Sequence, residues 1–227
     1  MPTERVSVVI RAKNEERWIG ACLDAVFHQD YPNYEVVVVD NDSTDRTRDI
    51  IARYPCKLVT ISDAEFHFSR ALNRGIAASN GSLIGIISGH CVPVDEQWLL
   101  RLTLAFSHPR VAAAYGRQTP LPDSSPFDKR DLWTAFGLDR RVQVRDFFFH
   151  NANSMIRRSV WERIPFCEDI DGVEDRDWAK KVLGLNCTII YEPFAAVHHY
   201  HGIHHNQSSE RAERVVSVIE LIQKDQT

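Results

Sequence analysis

Histidine is the residue type whose number and spacing most call for a chemical explanation. The chain of 227 residues contains ten histidines, and five of them fall within eight positions: His198, His199, His201, His204 and His205. Neutral imidazole is a metal ligand and a proton carrier near pH 7. Side chains two residues apart in an extended segment point to the same side. His199 and His201 are therefore expected to face one phosphate or one metal ion, while His198 points away.

A metal-dependent hydrolase is the least favoured explanation of this cluster. The run from His198 to His201 lacks the helical i, i+4 spacing of common zinc motifs. His204 and His205 follow in a polar segment, which predicts either a loop that closes over a site or a solvated loop without a role.

Polar residues also cluster directly after three predicted strands. They occupy positions 11–15, 40–45 and 88–90. Ligands of an open parallel α/β sheet bind at the carboxyl ends of its strands. Helix capping is the alternative for any one cluster, with Asn14 or Ser43 as the cap and Glu15 or Asp45 in the favourable first turn. Three such clusters together favour a binding site.

The elements that must position these residues alternate between strand and helix in the first half of the chain. Runs rich in β-branched residues at 6–10, 35–39, 57–61 and 83–87 predict strands, and 111–115 is a fifth candidate. Amphipathic stretches at 15–28, 44–54, 68–79 and 95–107 predict the helices between them. This alternation predicts an α/β fold with a mostly parallel central sheet and helices on both faces.

The pattern is less regular after Gly116. Residues 118–131 contain three prolines and predict a long loop near a site. Residues 147–156 are a weaker strand candidate, 174–183 predict a helix, 187–191 a short strand and 210–224 a final amphipathic helix. We find no linker, so one domain over residues 1–227 is expected, with functional halves at 1–115 and 116–209 and a C-terminal helix within 210–227.

Composition excludes several classes of protein. The chain is 44% hydrophobic and 26% charged, as is usual for a globular protein and unlike a disordered or fibrous one. A net charge of −4 argues against nucleic-acid binding. The five cysteines contain no C-x-x-C pair, and no apolar run approaches the ~18 residues of a membrane span. We therefore expect a cytoplasmic protein that is at most peripheral at the inner face of a membrane.

Four blocks of the sequence resemble family 2 glycosyltransferases, a large inverting family with the Rossmann-like GT-A fold. The blocks are VSVVIRAKNEERWIGACLDAVFHQDYPNYEVVVVDNDSTDRT, FSRALNRGIAASNGSLIGIISGHCVP, GVEDRDW and YEPFAAVHHYH. They extend over roughly residues 5–201, and their order and spacing are specific to the family without identifying the sugar.

The resemblance implies a nucleotide-sugar donor bound by the first half and a hydroxyl of a glycan or glycolipid acceptor presented by the second. It places Arg11, Asn14 and Glu15 in the nucleoside pocket. It places Asp40 and Asn41 against the base and ribose, and Arg70 and Asn73 near the rest of the donor. It also implies that Asp175 is the catalytic base and that Glu174 orients substrate or backbone. Without the resemblance, these two acids would be taken to begin a helix and complement its dipole.

Two positions depart from the family pattern. Asn41 replaces an aspartate of the acidic pair, and because an amide can donate or accept, uridine, thymidine and cytidine nucleotides all remain open. Ser88-Gly89-His90 replaces the metal-binding Asp-x-Asp. Either a divalent cation, Mn²⁺ or Mg²⁺, is held by His90 with His199 and His201, or histidine and arginine stabilise the leaving diphosphate without metal.

Two other functions remain open at this stage. A sugar nucleotidyltransferase would normally have a glycine-rich phosphate loop after the first strand, whereas residues 11–14 are RAKN. The missing Asp-x-Asp suggests a non-catalytic nucleotide- or glycan-binding module. The predicted helix at 210–224 is expected to pack on the domain, to join a homodimer, to meet a membrane surface, or to lead into a further module of a larger protein.

Overall fold

A computed structural model describes residues 4–170 and 172–201, together with the single positions 213, 216 and 217. His204 and His205 lie outside the described residues, and so does the predicted helix at 210–224 apart from those three positions.

The first half of the chain forms four parallel strands with helices between them, as the alternating pattern predicts. The sheet order is β3-β2-β1-β4. Valine and isoleucine dominate the inner strands, which are buried on both faces because helices cover both sides of a parallel sheet. These elements are β1 (Val6–Ala12), α1 (Ile19–Phe27), β2 (Tyr34–Asp40), α2 (Thr47–Ile51), β3 (Lys57–Thr60), α3 (Phe68–Ala77) and β4 (Leu83–Ser88).

The second half extends the same sheet with strands of both directions. Its elements are β5 (Cys91–Pro93), α4 (Trp98–Leu104), β6 (Val111–Pro120), α5 (Pro126–Ala135), β7 (Arg141–Gln143), β8 (Asn153–Arg157), α6 (Arg158–Trp161), α7 (Glu174–Gly184) and β9 (Thr188–His199). The β8 strand is antiparallel to both β4 and β6, while β6 and β9 are parallel. The sheet is thus parallel in its first half and mixed in its second, and the α/β class is confirmed.

The predicted loop over residues 118–131 is wrong at both ends. The β6 strand continues to Pro120, and α5 begins at Pro126. The Ser125 side chain caps α5 by accepting from the backbone N–H of Asp128, and proline is well tolerated in a first helical turn. Of the three prolines that suggested a loop, Pro120 therefore ends a strand and Pro126 begins a helix, while Pro122 lies in the short loop between them.

Two hydrophobic cores lie on opposite faces of the sheet. One packs α1 and α4 against the sheet, with Leu23 and Trp98 among its buried side chains. The other packs α3 and α7 against it, with Leu72 and Trp178. No helix in the described ranges is both long and apolar enough to cross a lipid bilayer.

An irregularity between β6 and β9 shapes the end of the sheet that carries the polar residues. Gly116 pairs with Glu192 and Gln118 with Val197, so β9 advances five residues while β6 advances two. Asn153 holds this bulge: its Nδ2 donates to the carbonyl of Ala195 at 2.8 Å, and its Oδ1 accepts from the indole of Trp98 at 2.8 Å. β9 consequently extends to His199, well past the predicted strand 187–191.

Candidate active site

Two adjoining cavities open at the carboxyl ends of β1 and β4. The carboxylate cavity, about 580 Å³, is lined by Asp175, Glu174, His150, Asn151, His199 and His201. The asparagine cavity, about 450 Å³, is lined by Asn41, Glu15, Phe66 and Ala71. Four residues line both cavities: Arg11, Phe68, Ser88 and His90. The convergence predicted from strand topology is therefore present.

Asn41 offers an unused hydrogen-bonding group in the asparagine cavity. The residue is 2% exposed, and both its Oδ1 and its Nδ2 are buried without a partner in the described structure. A buried polar group without a partner costs about 1–3 kcal/mol. Phe66 and Phe68, whose ring centroids lie 5.1 Å apart, line the same cavity. Such a wall with one free amide suits a flat heterocycle that presents a donor and an acceptor.

Asp40 is held at the edge of this site by its own neighbours. Its Oδ2 accepts from Arg48 Nε at 2.5 Å and from the backbone N–H of Ser43 at 3.2 Å. Its Oδ1 is buried without a partner. Asp40 thus uses one oxygen to shape the turn after β2, but it lines neither cavity, and the donor contact predicted for it remains a prediction.

Asn14 joins two loops rather than lining either cavity. It adopts a left-handed backbone conformation with φ of 53°. Its backbone N–H donates to Ser43 Oγ at 2.9 Å, and its Oδ1 accepts from the backbone N–H of Thr44 at 2.8 Å. The loop after β1 is thereby fastened to the loop after β2.

Arg11 lies at the boundary of the two cavities. Its guanidinium carbon is 5.0 Å from the centroid of the Phe68 ring, and one terminal nitrogen is 4.0 Å from Glu174 Oε1. Its Nε is buried without a partner in the described structure. A guanidinium with an unused donor between the asparagine cavity and the carboxylate cavity is placed to meet a phosphate.

Arg70 and Asn73 lie outside the lining of both cavities. Arg70 Nε donates to Glu168 Oε2 at 3.0 Å. Asn73 Nδ2 donates to the carbonyl of Phe166 at 2.9 Å, and its Oδ1 accepts from the indole of Trp161 at 2.9 Å. These contacts fasten α3 to the segment that leads into α7. The donor contacts predicted for both residues remain predictions.

The Ser88-Gly89-His90 turn brings an imidazole to the edge of β4. Gly89 passes close to β1, where a Cβ would lie 3.0 Å from the carbonyl oxygen of Arg11. The absent Cβ lets the turn approach the end of β1, and His90 then enters both cavities.

Three imidazoles meet where the two cavities join. His90 Nε2 lies 3.2 Å from His199 Nε2, and the His201 ring centroid lies 4.8 Å from that of His90 and 4.5 Å from that of His199. One ligand atom from each of the three lies within 4.8 Å of the other two. The juxtaposition predicted for His90, His199 and His201 is therefore present.

His198 points away from this cluster, as predicted from strand alternation. Its Nδ1 lies 3.1 Å from Thr119 Oγ1, and it lines neither cavity. Burial lowers the pKa of His198. This imidazole is therefore neutral near pH 7 and packs between β9 and β6.

Asp175 and Glu174 enter the carboxylate cavity from the first turn of α7. Asp175 Oδ2 accepts from the backbone N–H of Asn151 at 3.2 Å, and Oδ1 accepts from that of Arg176 at 2.8 Å. Burial raises the pKa of Asp175, although Arg176, these two N–H groups and Arg11 oppose the effect. A carboxylate whose pKa is raised beside a cavity has the properties of a general base.

Sequence reasoning missed four residues that contribute to the site. Asn151 is 1% exposed, and its Nδ2 is buried without a partner on the wall of the carboxylate cavity. Gln118 contacts His199, with 2.6 Å between Oε1 and Nδ1. Phe66 and Phe68 form the aromatic wall. The sequence signal for Asn151 was the presence of two asparagines, Asn151 and Asn153, in the apolar residues 147–156 that were predicted as a weak strand.

Comparison with known proteins agrees with this architecture. The model of the family described as glycosyl transferase family 2 matches residues 7–164. Glycosyltransferase AglE of Haloferax volcanii is 31% identical over 195 residues, which are 82% of this chain and 64% of that protein. O-antigen chain rhamnosyltransferase WbaN of Salmonella anatum is 25% identical over 188 residues, 78% of this chain and 60% of that protein.

Solved structures show the same fold. Mannosyltransferase PcManGT from Pyrobaculum calidifontis, in complex with GDP-Man and Mn²⁺, matches with a TM-score of 0.70 and 25% identity over 87% of this chain and 57% of that one. S. aureus TarS in complex with UDP-GlcNAc matches with a TM-score of 0.69 and 18% identity over 90% of this chain and 61% of that one. This chain spans roughly three fifths of AglE and WbaN, and a similar share of the solved PcManGT chain and of the solved TarS fragment 1–349. The match of the family model to most of the chain shows that the protein belongs to glycosyl transferase family 2.

Proposed function

We propose that the protein is an inverting glycosyltransferase that moves a sugar from a nucleotide-sugar donor to a hydroxyl of a glycan or glycolipid acceptor, in the synthesis of a surface polysaccharide. The observation that carries this proposal is the shared boundary of the two cavities. One contains Asp175, the other contains the unpartnered amide of Asn41, and Arg11 lies between them. Nucleoside, diphosphate and reacting sugar thus each have a complementary region.

The roles of the residues follow from their chemistry. Asp175 accepts the proton of the acceptor hydroxyl while that oxygen attacks the anomeric carbon, and the bond from that carbon to the nucleotide phosphate breaks with inversion. Arg11 stabilises the negative charge that develops on the leaving diphosphate. Asn151 Nδ2, buried and unpartnered on the same wall, donates to a sugar hydroxyl. Asn41 and Asp40 Oδ1 recognise the base and ribose.

The three clustered imidazoles fit a divalent cation. Two ligand nitrogens that are each about 2.1 Å from one ion and subtend about 100° are about 3.2 Å apart. The Nε2 atoms of His90 and His199 have this separation, and His201 supplies the third ring. We therefore propose that His90, His199 and His201 hold a cation. Such an ion supplies positive charge beside the diphosphate.

Nucleotide-sugar binding tests the proposed function. At a ligand concentration of about 100 Kd, the right donor stabilises the fold by about 2.7 kcal/mol, which raises the Tm of a protein of this size by roughly 5–10 °C. The measurement is a thermal scan with UDP-, dTDP-, GDP- and CMP-sugars. We expect one nucleotide class to raise the Tm, whereas no shift with any of them would contradict the proposal.

Arg11→Lys is the matching variant for this scan. The planar guanidinium makes charge-assisted hydrogen bonds that an ammonium group cannot reproduce at the same positions. We expect the Kd for the donor to rise by about 10–100-fold, in line with about 1.5–3 kcal/mol for a hydrogen bond to a charged group. Arg46→Lys is the control, because Arg46 is exposed and bonds to Glu16 on the surface. Equal loss in both variants would remove Arg11 from the donor site.

The pH dependence of transfer follows from the environment of Asp175. Burial raises the pKa of this carboxyl above the ordinary aspartate value of about 3.9. Only the ionised form accepts a proton, so kcat is expected to fall as the pH drops through the raised pKa. Initial rates at saturating donor, measured from pH 8 downward, should show this acid limb above pH ~3.9. A rate that stays constant down to pH ~4 would argue against Asp175 as the base.

A further inference from the structure

We propose that Glu15 and Gln118 aim His90 and His199 at a single cation, and that the resulting nitrogen ligand set selects transition-metal ions such as Mn²⁺ over Mg²⁺. This inference rests on the proposed metal site, and it gives Glu15 a task other than lining the nucleoside pocket. Glu15 and Gln118 are positioning residues, because each contacts a ligand histidine through the ring nitrogen that faces away from the ion.

The contacts of the two outer residues are short and alike. Glu15 Oε1 lies 2.6 Å from His90 Nδ1, and Gln118 Oε1 lies 2.6 Å from His199 Nδ1. A histidine ligand usually donates its other ring N–H to a carboxylate or carbonyl oxygen, which determines the tautomer and the ring orientation. Both contacts have this form, and both leave Nε2 directed at the place where the rings meet.

The short distance between the Nε2 atoms of His90 and His199 is a second reason to place a cation between these rings. When both rings are neutral and donate Nδ1–H to Glu15 and Gln118, each Nε2 carries a lone pair, and the two Nε2 atoms lie 3.2 Å apart. Two acceptors at this distance repel unless positive charge lies between them. A cation bound to both nitrogens turns the repulsion into two coordinate bonds.

The competing arrangement involves no metal. Gln118 Nε2 is buried without a partner, and rotating the amide by 180° would let it donate to His199 Nδ1. His199 Nε2–H would then donate to His90 Nε2, and the pair would be an ordinary hydrogen bond with little affinity for a cation. The two arrangements therefore predict opposite results for metal binding.

His201 follows Tyr200, whose ring and backbone carbonyl are held by several contacts. The Tyr200 ring lies 5.5 Å from the Trp18 ring, and the Arg17 guanidinium lies 4.9 Å from the Tyr200 centroid. Ser124 Oγ donates to the Tyr200 carbonyl at 3.2 Å. These contacts hold the end of β9 in place, so the third imidazole is positioned by the fold.

Selectivity follows from the ligand atoms. Mg²⁺ prefers oxygen ligands in octahedral geometry and rarely uses imidazole, whereas Mn²⁺, Co²⁺ and Zn²⁺ accept it. The three residues that meet here offer imidazole nitrogen only, and the nearby Glu15 carboxylate is already engaged with His90. We expect Mn²⁺ to bind at least about tenfold more tightly than Mg²⁺.

The test measures metal binding directly, without any substrate. Protein stripped with a chelator is titrated with Mn²⁺, and free Mn²⁺ is followed by electron paramagnetic resonance, with Mg²⁺ as competitor. We expect one bound Mn²⁺ per chain with nitrogen hyperfine coupling from imidazole in pulsed spectra. Equal affinity for Mg²⁺, or bound Mn²⁺ without nitrogen coupling, would overturn the selectivity.

Variants test the outer residues. Glu15→Ala and Gln118→Leu are each expected to raise the Mn²⁺ Kd by about 10–100-fold, and Glu15→Gln by less, because it keeps an acceptor oxygen. Glu16→Ala is the control, since Glu16 bonds to the exposed Arg46. Thermal unfolding verifies that each variant folds. Mn²⁺ affinity that is unchanged in both Glu15→Ala and Gln118→Leu would overturn the proposal.

The outcomes separate this inference from the proposed function. Mn²⁺ binding with the expected variant losses, but without sugar transfer, would support the metal site and contradict the enzyme. Sugar transfer by a wild-type protein that binds no Mn²⁺ would support the enzyme and favour the hydrogen-bonded histidine pair.

Discussion

Asp175→Asn is expected to reduce sugar transfer by about a thousandfold while the protein remains folded. A positioned general base contributes typically 10²–10⁴-fold, and an amide cannot take the proton. The side chain is nearly isosteric, and its single amide oxygen can keep one of the two contacts, with the backbone N–H of Asn151 or with that of Arg176. Urea unfolding verifies that the variant is folded, so that the loss of activity can be assigned to proton transfer.

The free energy of unfolding of this variant, relative to that of the wild type, is expected to change with pH in a definite direction. Burial raises the pKa of Asp175 in the folded state, so ionising this carboxyl costs the folded protein more than the unfolded chain. That cost appears as the pH rises above the ordinary aspartate value of about 3.9. The neutral variant avoids it, and its stability relative to wild type should increase between pH 4 and pH 7 in urea unfolding.

Asp177→Asn is the matched control for both measurements. Asp177 lies in the same first turn of α7, but it pairs with Lys181 at 2.6 Å and lines neither cavity. We expect transfer to be unchanged in this variant. If both substitutions reduced kcat equally, the effect would belong to the helix terminus, and Asp175 would lose its role as base.

Gly116→Ala is expected to destabilise the fold by about 3 kcal/mol or more, which corresponds to a fall in Tm of roughly 6–12 °C. A Cβ at this position would lie 1.9 Å from the carbonyl oxygen of Ala195 and 2.4 Å from Asn153 Nδ2. The first neighbour is backbone, so it cannot rotate away. Relief requires β6 and β9 to separate at the bulge that precedes Gln118 and His199.

Gly137→Ala is the control, because a Cβ there meets nothing within 4 Å. Its Tm should stay within about 2 °C of wild type, as is usual for substitutions away from the core. Where Gly116→Ala still folds, we also expect weaker Mn²⁺ binding, since the bulge places Gln118 beside His199. A Tm unchanged by Gly116→Ala would mean that β6 and β9 can separate freely.

The fold was largely predictable because its strongest signal is local. The valines of β2 and the isoleucines of β4 form short, continuous apolar runs, which only strands covered on both faces make favourable. The second half was harder to predict. β6, β8 and β9 pair with distant partners, and the asparagines before and within β8 mask its apolar pattern.

The site was predictable to the extent that topology determines it. Arg11 lies at the end of β1, and Asn41 and His90 follow β2 and β4, so the convergence of these strand ends predicts that the three residues are close together. Side-chain partners could not be obtained in the same way. Asn14 accepts a hydrogen bond from the loop after β2, and Asn73 donates one to the segment before α7. Such partners are distant in the sequence, and no motif identifies them.

The bulge in β9 has a consequence for numbering along the strand. Before the bulge, the odd-numbered Tyr191 packs in the core beneath α3 and α7. After the bulge, the odd-numbered Ala195 and Val197 pack in the other core, beneath α1 and α4. β9 gains three residues on β6 across the bulge, and an odd gain inverts the alternation of faces. An uninterrupted strand would have turned His198 toward the cavities and His199 toward Thr119. The parity of a backbone insertion, as much as the residue type at 199, therefore decides which of two adjacent histidines faces the carboxylate cavity.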